Sequence, residues 1–337
     1  MLVDGNIPPG IAESEQSAVA LEAAGYDGAW SQETGHDPFL SLVPAALATT
    51  RLQLGTGIAV AFARNPMVVA TMANDLQLAS GGRFLLGLGS QVRAHIQKRY
   101  SMPWSHPAPR MREFVLALRA IWSAWNDRAP LDFRGEFYTH TLMTPFFDPG
   151  PNPFGPPKVF VAAVGERMTE VVGEVADGLL VHGFTTERYL REATHPALER
   201  GLARSGRQRS DLELSYPAFV VTGTDGEGMD QARRAVAAQV AFYASTPAYR
   251  PVLELHGWGD LQAELNALVR QGRWEDLGNH LPSEVLDAFA LSAEPDAVAP
   301  GLLARYGELV DRLSLYAPYP LDPEVQARIV AGLREPA

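Results

Sequence analysis

Residues 52–91 read LQLGTGIAVAFARNPMVVATMANDLQLASGGRFLLGLGSQ, and this stretch decides the fold. Two apolar runs, Leu52–Phe62 and Arg83–Ser90, have the length and composition of buried strands. Between them Pro66–Ser80 carries a helical pattern opened by proline and stopped by Gly81-Gly82. The stretch is therefore one β-α-β unit. Gly57 stands inside the first run, where a bulge or a close backbone approach is the usual reason for a glycine.

The same rhythm extends in both directions. Met1–Asp4 and Asp27–Ser31 read as strands around a helix over Ile11–Ala24, with Val19 and Leu21 turned to the core and Gly25 as its stop. A second helix runs from near Pro38 to about Thr49. Downstream, strands are expected at Lys158–Ala163, Gly178–His182, Leu212–Thr222 and Arg312–Tyr316. Helices are expected at Arg110–Trp125, Arg167–Ala176, Glu187–Arg204, Gly226–Ala244 and Pro323–Arg334. Eight strands, each followed by a helix, make an α/β chain of the (β/α)8 TIM-barrel type. A doubly wound sheet is the competing architecture, but no G-x-G-x-x-G opens the helix after the first strand. The chain is read as one domain over residues 1–337, with a loop or hairpin insertion at 131–157 and a helical insertion or lid at 246–293. Val92–Pro109 is a long polar loop of the kind that carries function.

Composition narrows the chemistry. With 46% hydrophobic residues in 337, the chain has material for a large core. A net charge of −11 argues against nonspecific nucleic-acid or anionic-membrane partners. The absence of cysteine excludes disulfides, thiolate metal sites and a cysteine nucleophile. No apolar run approaches the ~20 residues that span a bilayer, and the N-terminus has no signal-peptide pattern, so a cytoplasmic location is expected. The histidines lack ligand spacing, so no metal site is expected, and no G-x-S-x-G elbow is present.

In a barrel of this type the chemistry gathers at the C-terminal ends of the strands. That rule picks out Asp4, Asn6, Glu33, His36, Gly57 to Arg64, Ser90, Gln91, His95, Ala163, Val164, Gly165, Glu166, Arg167, Met168, and His182 to Thr185. Glu33 follows a strand and is a candidate proton carrier, with His36 as the alternate. The segment VFVAAVGERM turns at Gly165 into a helix, so the amides of Gly165 to Met168 are placed to hold a phosphate, with Arg167 adding charge. Arg83 reads as a structural ion-pairing residue, and Arg110, Arg112 and Glu113 as surface or dimer contacts. Trp104 reads as either a substrate wall or an outer contact.

Taken in order, seven segments carry a family resemblance. They are ETGHDPF from Glu33, LGTGI from Leu54, RNP from Arg64, SGGRFLLGLGS from Ser80, RMRE from Arg110, AAVGERM from Ala162 and VADG from Val175. The chain resembles the luciferase-like flavin and deazaflavin oxidoreductases over nearly its whole length, and most closely the branch using coenzyme F420. The resemblance implies a barrel with insertions, often a homodimer. It also implies a non-prolyl cis peptide at Gly57–Ile58, with Ile58 backing the deazaflavin ring. The cofactor phosphate would lie on Gly165 to Met168 and a polar contact would come from His95. FMN is the alternative cofactor, in a monooxygenase, and a non-catalytic flavin-binding relative is a third reading. Relatives acting on sugar phosphates or alcohols have a histidine after the second strand and a glutamate after the fourth. This chain has Glu33 and Gln91-Val92 in those places.

Overall fold

The computed structural model describes residues 1–334. Eight parallel strands are β1 (Leu2–Ile7), β2 (Gly28–Ser31), β3 (Gln53–Thr56), β4 (Phe84–Gly89), β5 (Lys158–Ala163), β6 (Gly178–Val181), β7 (Glu213–Val221) and β8 (Arg312–Tyr316). Each pairs with the next, and β8 returns to β1 through Ser314 opposite Asp4, which closes the barrel. Helices α1 (Ile11–Ala23), α2 (Leu42–Ala48), α3 (Pro66–Ala79), α4 (Pro107–Asn126) and α5 (Glu166–Val175) belong to its outer layer. The stretch over residues 52–91 folds as read. Asn65 caps α3 by accepting the Met67 amide, Pro66 opens the helix, and Gly81 and Gly82 end it in the left-handed region.

Period-2 alternation sends every second strand residue into the barrel. At the bottom, fully buried Arg312 holds Asp4 through two bonds of 2.7 and 2.8 Å and also donates to Gln53. Above it Trp30, Leu85, Phe160 and Leu180 fill the interior. Trp30 donates to Asp4 at 2.9 Å and meets Phe160 edge-on at 5.6 Å. This plug fits because Gly55 has no side chain: a Cβ there would lie 2.3 Å from the Trp30 ring. The barrel is thus closed from below, and only the layer above the plug is open.

Several expectations need correction. Asp4 belongs to the sealed ion-paired bottom, not to the mouth. Val19 is exposed, because Ser14 and Ala18 form the buried face of α1. The third strand is not continuous to Phe62: β3 stops at Thr56, and Ala59–Val60 pairs separately with Leu88–Gly89 of β4. The helix expected from Pro38 starts only at Leu42, after a turn held by the Asp37 carboxylate on the Phe39 amide. Arg83 makes no ion pair among the described residues; it donates to the carbonyls of Ala46, Thr49 and Leu52, tying the end of α2 to the barrel. Arg110 is buried over the Phe62 ring and bonded to Tyr138 and Pro103.

The segment over 131–157 contains a small antiparallel ribbon, Phe133–Arg134 with Thr139–His140, held to α4 where Glu113 accepts the amides of Glu136 and Phe137. The segment over 246–293 contains helices Arg250–Leu255, Gly259–Arg270 and Ser283–Phe289. They pack with helix Gly226–Ala244 around a second apolar cluster that includes Val240, Leu265 and Phe289. This segment also holds an extra parallel strand, Ala290–Ser292, on the end of β7. Three residues directly after a helix carry no alternation from which to read it. No helix among the described residues is long and apolar enough to cross a membrane.

Candidate active site

The open layer lies beyond the plug, toward the C-terminal ends of the strands. It presents Asn6, Gln32, Gly57, Gly89, Ala162, His182, Pro217 and Tyr316. On the β3–β5 side it is built of small residues. The Gly57–Ile58 peptide is cis, and the chain bulges before pairing resumes at Ala59. Ile58 lies across Gly89: a Cβ on Gly89 would fall 2.8 Å from the Ile58 side chain. The result is a flat, partly exposed apolar shelf.

Beside it, the chain leaves β5 through Ala163 and Val164 and turns at Gly165 into α5. A cavity of about 720 Å³ opens here, lined by His106, Pro107, Ala108, Pro109 and Gly165 to Met168. The amides of Glu166 and Arg167 have no backbone acceptor among the described residues, whereas the Met168 amide already donates to the Gly165 carbonyl at 3.1 Å. The Glu166 carboxylate points away, to Arg200 at 3.0 Å. Arg167 is exposed and has no acidic partner among the described residues. Free amides at a helix N-terminus with an unpaired guanidinium are suited to an anion.

Glu33 is differently placed from a free proton carrier. Its side chain is 6% exposed, and its carboxylate accepts from Arg64 at 2.6 Å, the Val60 amide at 2.7 Å and the Tyr100 hydroxyl at 2.8 Å. Arg64 also bridges to Asp37 at 2.7 Å. The cluster ties the end of β2, the resumed strand after the bulge, and the Val92–Pro109 segment into one unit. His36 is exposed on the rim of this unit. His95 is exposed too, at the start of a short helical turn, His95–Arg99, anchored by buried Ile96. Ser90 is half-buried, and the Gln91 side chain folds back to accept the Val92 amide. Trp104 packs edge-on against Phe62 at 5.8 Å.

Across the barrel, a group that the strand-end rule touched only at His182 comes together. His182 stacks on Tyr249 at 4.6 Å and meets Tyr243 edge-on at 4.8 Å. Tyr316 lies on Phe219 at 4.4 Å. Both Tyr243 and Tyr249 come from outside the barrel strands, so no local pattern announces them. Burial alone pushes His182 down to about 4, and mainly burial pushes Tyr249 up to about 12.

The model of the luciferase-like monooxygenase family matches residues 3–312. The chain belongs to that family. Among luciferase-like relatives, an uncharacterised protein of Mycobacterium tuberculosis is 57% identical over 92% of each chain. An F420-dependent glucose-6-phosphate dehydrogenase of Mycolicibacterium gilvum is 30% identical, over 64% of this chain and 66% of that protein. The solved coenzyme F420-dependent tetrahydromethanopterin reductase of Methanopyrus kandleri superposes with a TM-score of 0.78 at 21% identity, covering 98% of this chain and 97% of that one. The barrel and the family expected from the sequence are thus both found.

Proposed function

We propose that the protein is a coenzyme F420-dependent oxidoreductase that moves a hydride between the deazaflavin and a small organic substrate. One observation carries the reading. A flat apolar shelf, Ile58 over Gly89, adjoins an anion cradle formed by the Glu166 and Arg167 amides and the Arg167 guanidinium. A planar ring with a phosphate-bearing tail needs those two surfaces next to each other. The F420-dependent activities named for relatives at 30% identity or with the same fold point the same way.

Bound coenzyme F420 supplies a two-electron centre that gives or accepts hydride. The protein's own part is to orient and shield. Ile58 would back one face of the ring, on the shelf it forms over Gly89. Ser90, Gln91 and His95 would border the ring, and Ala163, Val164 and Gly165 would line the path to the cradle. The Glu33–Arg64–Tyr100 cluster fixes the backbone that carries the shelf. Of the two candidate proton carriers, Glu33 already accepts from three donors, while His36 is exposed on the rim.

We also read the chain as a homodimer. Leu40 and Val43 are exposed at an apolar cavity of about 390 Å³, and Leu47 on α2 and Val68 on α3 are exposed as well.

The test is turnover. The protein is incubated anaerobically with oxidised F420 and a panel of alcohols, or with reduced F420 and the matching carbonyl compounds, and deazaflavin absorbance is followed. A change with at least one pair supports the reading. Oxygen uptake dependent on reduced FMN, with no change in F420, would replace it with the monooxygenase.

A further inference from the structure

The wall opposite the shelf has hydrogen-bonding capacity that the fold does not use. The Phe184 amide donates to Nδ1 of His182 at 3.0 Å, so the proton of the neutral ring sits on Nε2. Nε2 then donates to the Tyr249 hydroxyl oxygen at 3.1 Å. That oxygen has accepted a bond, and its own proton has no acceptor among the described residues. The Tyr243 and Tyr316 hydroxyls lie 2.7 Å apart and share one hydrogen bond. One of the two donates to the other, which leaves a second phenolic proton without an acceptor. The Tyr316 ring is held by Phe219 beneath it and by Gly183 beside it, where a Cβ would come within 3.1 Å. No charged side chain bonds to any of the four rings among the described residues. The wall is therefore electrically neutral, apolar on its ring faces, and supplied with two O–H donors.

We propose that Tyr243, Tyr249 and Tyr316 are specificity-determining residues, with His182 as a positioning residue: the phenols bind the carbonyl or hydroxyl oxygen of a small neutral substrate and the wall rejects anionic ones. The inference rests on the proposed function in that the substrate occupies the mouth facing the shelf. His182 acts indirectly. It fills the acceptor site of Tyr249 and so aims that phenol's proton into the mouth. Tyr249 and the Tyr243–Tyr316 pair contact the substrate. A carboxylate or phosphate in the same place would lose its hydration without meeting a cation, which disfavours it.

The experiment is ligand-observed NMR with cyclohexanone and cyclohexanecarboxylate as probes, on the wild type, Tyr249→Phe, Tyr316→Phe and the double variant. Phenylalanine keeps the ring packing and removes only the hydroxyl. The wild type is expected to bind cyclohexanone and not the carboxylate. The double variant is expected to bind the ketone about tenfold more weakly, each single variant contributing part of the loss. His182→Phe, which keeps an aromatic ring in the stack and removes the bond that aims Tyr249, should weaken the ketone to the same degree as Tyr249→Phe. Unchanged ketone affinity in the double variant, equal binding of the carboxylate, or no ketone binding to the wild type would overturn the assignment. Thermal melts show whether each variant folds. Should the double variant fail to fold, the single ones carry the same comparison. Quenching of F420 fluorescence by the same proteins reads the cofactor separately. In the wild type, F420 binding without a preference for the ketone refutes the wall alone, and a preference for the ketone without F420 binding refutes the cofactor reading alone.

Discussion

Two polar clusters stand at the C-terminal ends of the barrel strands, and they are built on opposite principles. Around Glu33 both carboxylate oxygens are engaged: a guanidinium, a backbone amide and a phenol converge on one carboxylate. Around His182 the groups are neutral and two phenolic protons are left over. A position at a strand end brings a residue to the mouth, but spare hydrogen-bonding capacity is what lets it meet a ligand. The ionic cluster makes the bulge rigid, and the neutral one faces what the bulge presents.

The largest effect should come from breaking the ionic cluster. Glu33→Ala leaves the Arg64 guanidinium largely buried without its main partner and is expected to cost ~3–5 kcal/mol of stability, read from denaturant midpoints. The milder Glu33→Gln sharpens the point. An amide cannot accept from all three donors, so stability should fall along with turnover. Wild-type stability with turnover reduced ~10²-fold would instead make Glu33 the proton carrier.

The neutral cluster answers to pH. His182 takes a proton near 6.5 when unfolded but only at about 4 when folded. Between those values the unfolded chain binds more protons, so the contribution of His182 to stability is full above about 6.5 and declines as pH falls toward 4. The loss is on the order of 3 kcal/mol over that window. Melting curves of His182→Gln should lack that share of the acid sensitivity, and a variant with the wild-type slope would show that the imidazole is not held neutral.

Smaller effects come from single hydrogen bonds. Tyr243→Phe removes one phenol bond and should cost about 1 kcal/mol with the fold intact. Arg167→Ala should weaken F420 binding several-fold, and less so as salt rises, because the side chain is exposed. A salt-independent loss would point to a structural role at the cradle.

Much of this could be read from the chain. Strand Lys158–Ala163 and helix Gly226–Ala244 have the residues at which apolar pattern and breakers place them. The bulge at Gly57 and the turn at Gly165 are local features, announced by glycines where a side chain is expected. What stayed hidden depends on distant partners. Arg110 looks like a surface residue until Phe62 and Tyr138 close over it. Glu33 looks like a free carboxylate until Arg64 and Tyr100 arrive from other segments. His182 gains its meaning from Tyr243 and Tyr249, which stand outside the barrel strands and carry no motif of their own.

The most direct measurement is a fluorescence titration of the wild-type protein with coenzyme F420 and, separately, with FMN at matched concentrations. Saturable quenching by F420, with FMN binding at least tenfold more weakly, is the predicted result. Tight FMN binding without binding of F420 would contradict the account.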